Sequence, residues 1–147
     1  MSALRRVLSL LVVVAFCWLV AARVAFADGG FVVLVNQSNP VASLGPSQLK
    51  RVVTGGIKQW DSGAVVQLGI IPTDCPETRY LASLLDMEPR TLLTRIQEQV
   101  FKGELRRPVI LRSSADCASF ASASAGAICI ASDHEHIPAS AKAVAIR

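Results

Sequence analysis

Short runs of β-forming residues alternate with segments of helical periodicity along most of the chain, and this alternation limits the fold more than any other feature. The runs lie at residues 31–35, 65–71, 108–111 and 127–131, and residues 144–146 are expected to add an edge strand. Such an order predicts an α/β domain with a largely parallel or mixed sheet flanked by helices.

The segments between these runs repeat apolar residues at helical spacing. Pro46 suits a first helical turn, and Pro89 suits another. The inward faces are expected to carry Leu49, Val52 and Val53, then Leu81, Leu84 and Leu85, then Leu92, Leu93, Ile96 and Val100, followed by an alanine-rich helix capped by Ser113 or Ser114.

Strand-to-helix loops of an open α/β sheet are expected to collect on one edge, which is where ligands bind. The loops at residues 36–40, 72–78 and 112–116 are therefore the predicted ligand edge.

Residues 1–27 have the composition of a secretory signal peptide. Arg5 and Arg6 form a basic start, residues 7–22 are almost wholly apolar, and Ala25-Phe26-Ala27 offers the small residues that a signal peptidase accepts. Cleavage is expected after Ala27, and the protein is then exported, with a periplasmic location and no membrane span. Residues 28–147 suffice for one domain.

Removal of this segment changes the charge of the chain. The full sequence has 15 basic and 11 acidic residues, and Arg5, Arg6 and Arg23 are lost with the signal. The remainder is close to neutral, so it lacks the basic footprint of a nucleic-acid binder.

Three cysteines remain after cleavage, namely Cys75, Cys117 and Cys129. An oxidising compartment makes one disulfide plausible. Cys75 and Cys117 each fall in the first turn of a helix that follows a strand, so both should lie at the same edge of the sheet. A disulfide between these two residues is therefore the favoured pairing. The pair Cys117 and Cys129 and three free thiols remain alternatives.

The order of several motifs resembles a known family. "VVLVNQSNPVASLGPSQLKRVVTGGIKQWDSGAVVQL", "VFKGELRRPVIL" and "SAGAICIA" follow one another as similar segments do in phosphate-binding periplasmic proteins of ABC transporters. The resemblance covers about residues 31–147. It implies a single lobe of a type II periplasmic-binding-protein-like fold and an exported substrate-binding module for phosphate or a similar small anion.

The same comparison shows where this chain departs from the family. Its members bind phosphate between two lobes, with a Ser-Gly-Thr turn at a helix N-terminus and an Arg nearby. Here "PTDCPETR" at residues 72–79 occupies that position, and only Thr78 matches the turn. One lobe cannot enclose an anion, so tight binding is expected to need a homodimer or a partner protein.

Five residues are predicted to bind the anion. Ser38, Asn39, Thr78 and Ser113 are the expected hydrogen-bond donors, and Arg79 supplies charge. Ser38 and Asn39 alternatively form only a turn before Pro40.

The acidic residues of the same turn favour a different interpretation. Asp74 and Glu77 stand at capping-box spacing, so they are expected to occupy the N–H groups of the helix and to repel phosphate. The alternative function is therefore a periplasmic protein–protein interaction or accessory module that has lost its ligand.

No pattern in the sequence favours catalysis, a cofactor or a metal. Asp133, His134, Glu135 and His136 are consecutive potential ligands, but adjacent residues rarely converge on one ion, so a solvated loop is expected. A catalytic Ser-His-Asp order is missing as well, and the protein is predicted not to be an enzyme. Trp60 is expected to pack in the core rather than to line a cleft.

Overall fold

The computed structural model describes residues 30–147, and the predicted signal peptide at residues 1–27 lies outside the described residues. Six strands and four helices follow one another within them. The strands are β1 (Phe31–Asn36), β2 (Ser43–Leu44), β3 (Gln67–Ile70), β4 (Val109–Ile110), β5 (Ala127–Ser132) and β6 (Ala141–Ile146). The helices are α1 (Pro46–Val53), α2 (Pro76–Leu84), α3 (Pro89–Phe101) and α4 (Ser114–Ala123).

The strands form one mixed sheet in the order β2-β6-β1-β5-β3-β4. β3 is parallel to both β4 and β5, whereas β1 is antiparallel to its neighbours β5 and β6. The predicted α/β class with a mixed sheet is confirmed. The expectation of an edge strand at residues 144–146 is wrong, because β2 pairs outside β6 and makes β6 an interior strand.

Helices cover both faces of the sheet. α1, α2 and α3 pack on one face, where the alternate β5 residues Ile128 and Ile130 belong to the same buried cluster as Leu81 and Leu92. Of the four described helices, α4 is the one that packs on the other face. There the intervening β5 residue Cys129 lies among the small buried residues of α4 and β5. The two-residue period of a strand thus divides the core into two layers.

A disulfide joins α4 to the sheet. Cys117 and Cys129 are bonded, with their Cα atoms 5.8 Å apart, and Cys75 is free. The expected pairing of Cys75 with Cys117 is wrong for a physical reason. α2 and α4 lie on opposite faces of the sheet, and the side chain of Cys117 faces β5, where Cys129 is its neighbour.

Trp60 is a core residue, as expected. Its side chain is buried, and its indole Nε1 donates a 3.0 Å hydrogen bond to the carbonyl oxygen of Gly126. Among residues 30–147, no helix is long and apolar enough to cross a membrane.

Candidate functional site

The parallel strands β3, β4 and β5 end at the same edge of the sheet, and α2 and α4 begin there. β2 also ends on this side, since it is parallel to β6, and α1 follows it. We call the part built from residues 71–79, 112–116 and 132–133 the helix-start edge. Backbone N–H groups at helix starts lack intrahelical partners and carry partial positive charge, so this edge is the place to examine for an anion site.

Cys75 caps α2. Its sulfur accepts a hydrogen bond from the backbone N–H of Thr78, at 3.5 Å, and lies 3.2 Å from the Thr78 hydroxyl. That hydroxyl donates to the carbonyl oxygen of Ile71 at 2.7 Å, so it is satisfied inside the protein. The expectation that Asp74 and Glu77 cap this helix is wrong, because the thiol stands in the N-cap position and both carboxylates have other partners.

Asp74 pairs with Arg79 at the surface. Arg79 Nε donates to Asp74 Oδ1 at 2.6 Å, and both side chains are more than half exposed. This hydrogen bond and the positive charge of the guanidinium lower the pKa of Asp74. The same hydrogen bond and the negative charge of the carboxylate raise the pKa of Arg79. Arg79 therefore has a carboxylate partner and is not an uncommitted positive charge.

Glu77 links the starts of two helices. Its Oε1 accepts a 2.9 Å hydrogen bond from the Ser114 hydroxyl in the first turn of α4. The same Ser114 oxygen accepts a 2.8 Å bond from the backbone N–H of Ser132 at the end of β5. The three groups form a chain of hydrogen bonds across the strand ends, and it holds the first turns of α2 and α4 together.

Ser113 caps α4. Its hydroxyl accepts from the backbone N–H of Asp116, and the Asp116 carboxylate accepts from the N–H of Arg112 at 2.9 Å. The N–H groups of Ser114 and Ala115 make no hydrogen bond within residues 30–147. The start of α4 therefore offers two free donors, and Ser113 and the exposed residue Arg112 directly precede them in the chain.

Ser38 and Asn39 do not lie at the helix-start edge. β1 runs antiparallel to β5, so the loop after Asn36 emerges at the opposite edge of the sheet. The prediction that this loop shares an edge with residues 72–78 is wrong for that reason. Ser38 donates its hydroxyl to Asn36 Oδ1 at 2.7 Å, and the backbone N–H of Ser38 donates to the same oxygen, as in an Asx turn.

Asn39 is buried in the same loop. Its Oδ1 accepts from the backbone N–H of Val41 at 3.0 Å, and its Nδ2 has no partner in the described part of the chain. Asn39 is thus held by its own turn and is separate from Thr78 and Ser113.

The pocket beneath the first turn of α2 is too small to hold an anion. The space lined by Gly69, Glu77, Thr78, Leu111 and Ile130 is about 10 Å³. A volume of that size admits about one water molecule at most. A larger ligand therefore does not fit in this pocket.

The acidic-histidine segment after β5 lies nearby. His134 Nε2 is 3.4 Å from Asp133 Oδ1, and the His134 side chain is largely exposed. Within residues 30–147, no three His, Cys, Asp or Glu side chains are grouped closely enough to hold a metal ion.

Two features of this edge are not predicted from the sequence. The contact between Glu77 and Ser114 joins residues 37 positions apart, and no local pattern indicates it. Arg112 is not among the residues that the sequence predicts to bind an anion. Of the five predicted ligand residues, the structure brings Thr78, Arg79 and Ser113 to one edge and places Ser38 and Asn39 at the other.

Taken together, these elements define an α/β domain with a mixed sheet, in which the starts of α2 and α4 lie at one edge. No protein-family model matches the sequence, and no curated protein matches it significantly. Solved structures do resemble it. An ABC-type phosphate transport receptor from Vibrio cholerae matches with a TM-score of 0.53 and 18% identity, over 80% of this chain and 46% of that one.

A second match is described as a phosphate ABC transporter substrate-binding protein from Clostridium perfringens, with bound phosphate. Its TM-score is 0.58 at 21% identity, over 80% of this chain and 44% of that one. The predicted resemblance to phosphate ABC transporter binding proteins is thereby confirmed for the fold. The chain spans less than half the length of either protein.

Proposed function

We propose that this chain is an exported substrate-binding-protein-like module that binds phosphate or a similar small anion at the start of α4. The observation that carries the proposal is the pair of free N–H groups at Ser114 and Ala115, flanked by Ser113 and Arg112. A helix start with free donors and an adjacent guanidinium suits an oxyanion. The fold of proteins named as phosphate receptors supports this choice.

Within this proposal, Ser113 donates its hydroxyl proton while its oxygen keeps the capping bond from Asp116. Arg112 supplies charge, and Arg79 adds a second cation when its free guanidinium nitrogens turn towards the ligand. Thr78 plays a structural part, because its hydroxyl already donates to Ile71.

The affinity is expected to be weak for the chain alone. The edge is open, and the carboxylates of Glu77 and Asp116 stand close to the free donors. A dissociation constant on the order of 1 mM corresponds to about 4 kcal/mol, which a few exposed charge-assisted hydrogen bonds can supply. A homodimer or a partner protein that covers the edge would strengthen binding by excluding water.

A phosphate titration tests the proposal. Calorimetry and backbone amide spectra would be recorded with phosphate and sulfate at constant ionic strength, with chloride as the control anion. Phosphate is expected to shift the amide signals of Ser114 and Ala115. Arg112→Gln should weaken binding several-fold, whereas Arg95→Gln, an exposed change on α3, should leave it unchanged. Absence of heat and of shifts at millimolar phosphate would contradict anion binding.

One observation also keeps the interaction or accessory module as a second candidate. The side chains of the α2 turn already have partners within the chain, since Thr78 donates to Ile71 and Arg79 to the exposed Asp74. Glu77→Gln separates the two functions, because the amide oxygen can still accept from Ser114 while the negative charge is removed. An anion site should gain affinity for phosphate in this variant, and an interaction module should bind phosphate in neither form.

The proposed export depends on residues 1–27, which lie outside the described residues. We propose that they are a signal peptide cleaved after Ala27, that residues 28–147 form the functional domain, and that the module acts in the periplasm. Binding rather than catalysis is favoured because both matched proteins are named as transport proteins.

A further inference from the structure

A second surface lies beside β4, the last strand in the sheet order, and is apolar and exposed to solvent. A groove of about 560 Å³ lies between α3 and β4, and we call it the α3/β4 groove. Its walls include Leu93, Val100, Phe101, Arg107 and Ile110. A volume of this size is comparable to a ligand or peptide pocket.

Two large apolar side chains of this groove face solvent. Phe101 at the end of α3 is 95% exposed, and Ile110 on β4 is 62% exposed. Neither packs in the core, so the folded domain alone gives no reason for apolar residues at these two positions. Adjacent exposed apolar side chains in a concave surface are typical of an interaction site.

The sheet is also open beside the groove. β4 is the last strand in the sheet order and pairs only with β3. Among the described residues, no strand covers its outer side. An unpaired strand edge accepts an extended peptide through main-chain hydrogen bonds, and neighbouring pockets then select its side chains.

The charges around the groove indicate what kind of peptide fits. Arg107 lines the groove, and Lys102 and Arg106 lie close by in the chain, each without an ion pair to any described residue. Within residues 30–147, no carboxylate lines the groove. The nearby Glu104 is already paired with Lys58 at 3.3 Å. The surface is therefore complementary to carboxylates.

The same charges disfavour a second copy of this chain as the occupant. Antiparallel pairing of two β4 strands about their centre would place Arg107 of one copy opposite Arg112 of the other. Like charges placed directly opposite each other across a strand pair are destabilising.

We propose that the α3/β4 groove is the docking site for an extended, acidic and apolar segment of a partner protein, which adds as a strand beside β4. The apolar side chains of the segment contact Phe101 and Ile110, and a carboxylate pairs with Arg107. The proposal does not depend on anion binding, because it uses none of the donors at the start of α4.

Synthetic peptides of about ten residues, the upper length of an ordinary strand, test this proposal with the full chain. One alternates valine with glutamate, a second alternates valine with lysine, and a third has the first composition in two blocks. Fluorescence anisotropy measures affinity, and amide shifts locate the peptide. The alternating glutamate peptide should bind about ten-fold more tightly than either control, and its shifts should map to residues 107–111.

Variants at exposed positions make the test specific without disturbing the fold. Phe101→Asp should abolish binding of the glutamate peptide, and Arg107→Glu should transfer the preference to the lysine peptide. Arg95→Glu makes the same charge change on α3 outside the groove and should have no effect.

Several outcomes would overturn the proposal. Equal binding of the glutamate and lysine peptides, or binding that is insensitive to Phe101→Asp, excludes the groove as an acidic-peptide site. A dimer in sedimentation that Phe101→Asp dissociates assigns the surface to a second copy of the chain. Binding to vesicles of anionic phospholipid, lost in Phe101→Asp and with no peptide binding, assigns it to a lipid surface.

Discussion

The hydroxyl of Ser114 donates to Glu77 at 2.9 Å and accepts from the backbone N–H of Ser132 at 2.8 Å, so one buried side chain joins α2, α4 and β5. The contact crosses from one face of the sheet to the other around the ends of the parallel strands. It fixes how the two helix starts face each other, and therefore the shape of the proposed anion site.

Ser114→Ala should destabilise the protein by about 1–3 kcal/mol, because it leaves the N–H of Ser132 and the carboxylate of Glu77 without their partner. Urea unfolding followed by circular dichroism measures the change. Ser119→Ala, an exposed serine on the same helix, is the control and should alter stability by less than about 0.5 kcal/mol. An equal effect of both variants would show that the Ser114 contacts contribute nothing specific.

The ion pair between Asp74 and Arg79 predicts a pH dependence. The hydrogen bond from Arg79 lowers the pKa of Asp74 below its ordinary value of 3.8. A carboxylate with a lowered pKa in the folded state contributes stability at pH values above the ordinary value, and this contribution is lost as the pH falls through the folded pKa. The Asp74 carboxyl signal should therefore titrate below 3.8 in the native protein.

Arg79→Gln is the matched variant for this titration. It should raise the midpoint of Asp74 towards the ordinary value, and Arg95→Gln should not. Because both side chains of the pair are exposed, the free energy of unfolding at neutral pH should be nearly the same in Arg79→Gln as in the unchanged protein. An unchanged Asp74 midpoint in that variant would remove Arg79 as the cause.

The cysteines should react differently with an alkylating reagent. Cys117 and Cys129 are bonded and buried, whereas the Cys75 thiol is free and partly exposed. Iodoacetamide applied to the native, unreduced protein should label Cys75, as read by peptide mapping. Replacing both Cys117 and Cys129 with Ser should destabilise the fold by about 3 kcal/mol. The disulfide closes a loop with a sequence separation of 12, and its loss lets the unfolded chain regain conformational entropy. Protection of both Cys75 and Cys117, with labelling of Cys129, would restore the pairing expected from the sequence.

The proposed signal peptide predicts a defined N-terminus. When the full-length chain is expressed in a Gram-negative bacterium, the protein should appear in the periplasmic fraction. Its mass should be that of a chain that begins at Asp28. Ala27→Pro, which disturbs the cleavage position, should leave the precursor uncleaved, whereas Asp28→Asn should still be processed. A full-length mass in the soluble cytoplasmic fraction would contradict export.

The sequence predicts the elements of this fold better than their arrangement. β5 and α4 occupy nearly the residues that periodicity indicates, because apolar spacing records which side chains are buried. The direction of β1 is not recorded in that spacing. As a result, Ser38 was predicted on the wrong edge.

The cysteine pairing failed for a related reason. Spacing does not indicate which face of the sheet a helix covers, and α2 and α4 cover opposite faces. The prediction of the α2 cap was wrong for a local reason. Asp74 stands one position too early, and Cys75, a weak cap by residue type, has the extended backbone of the N-cap. For α4 the sequence left the cap open between Ser113 and Ser114, and the structure shows that it is Ser113, which accepts from the N–H of Asp116.

The backbone of Gly126 passes directly against that of Val65, so a side chain at position 126 should destabilise the fold. A Cβ built on Gly126 would overlap the carbonyl oxygen of Val65, and the Gly126 carbonyl accepts from both Trp60 Nε1 and the N–H of Gln67. Gly126→Ala must therefore move β5 away from the segment that carries Trp60, which strains two hydrogen bonds and the packing of the indole. The variant should lose about 2 kcal/mol or more in urea unfolding. Gly45→Ala is the matched control, since its Cβ would meet neighbours only at 3.6 Å or more, and it should cost less than about 1 kcal/mol. If Gly126→Ala proved as stable as Gly45→Ala, the close approach of these two chains would not be a constraint on the fold.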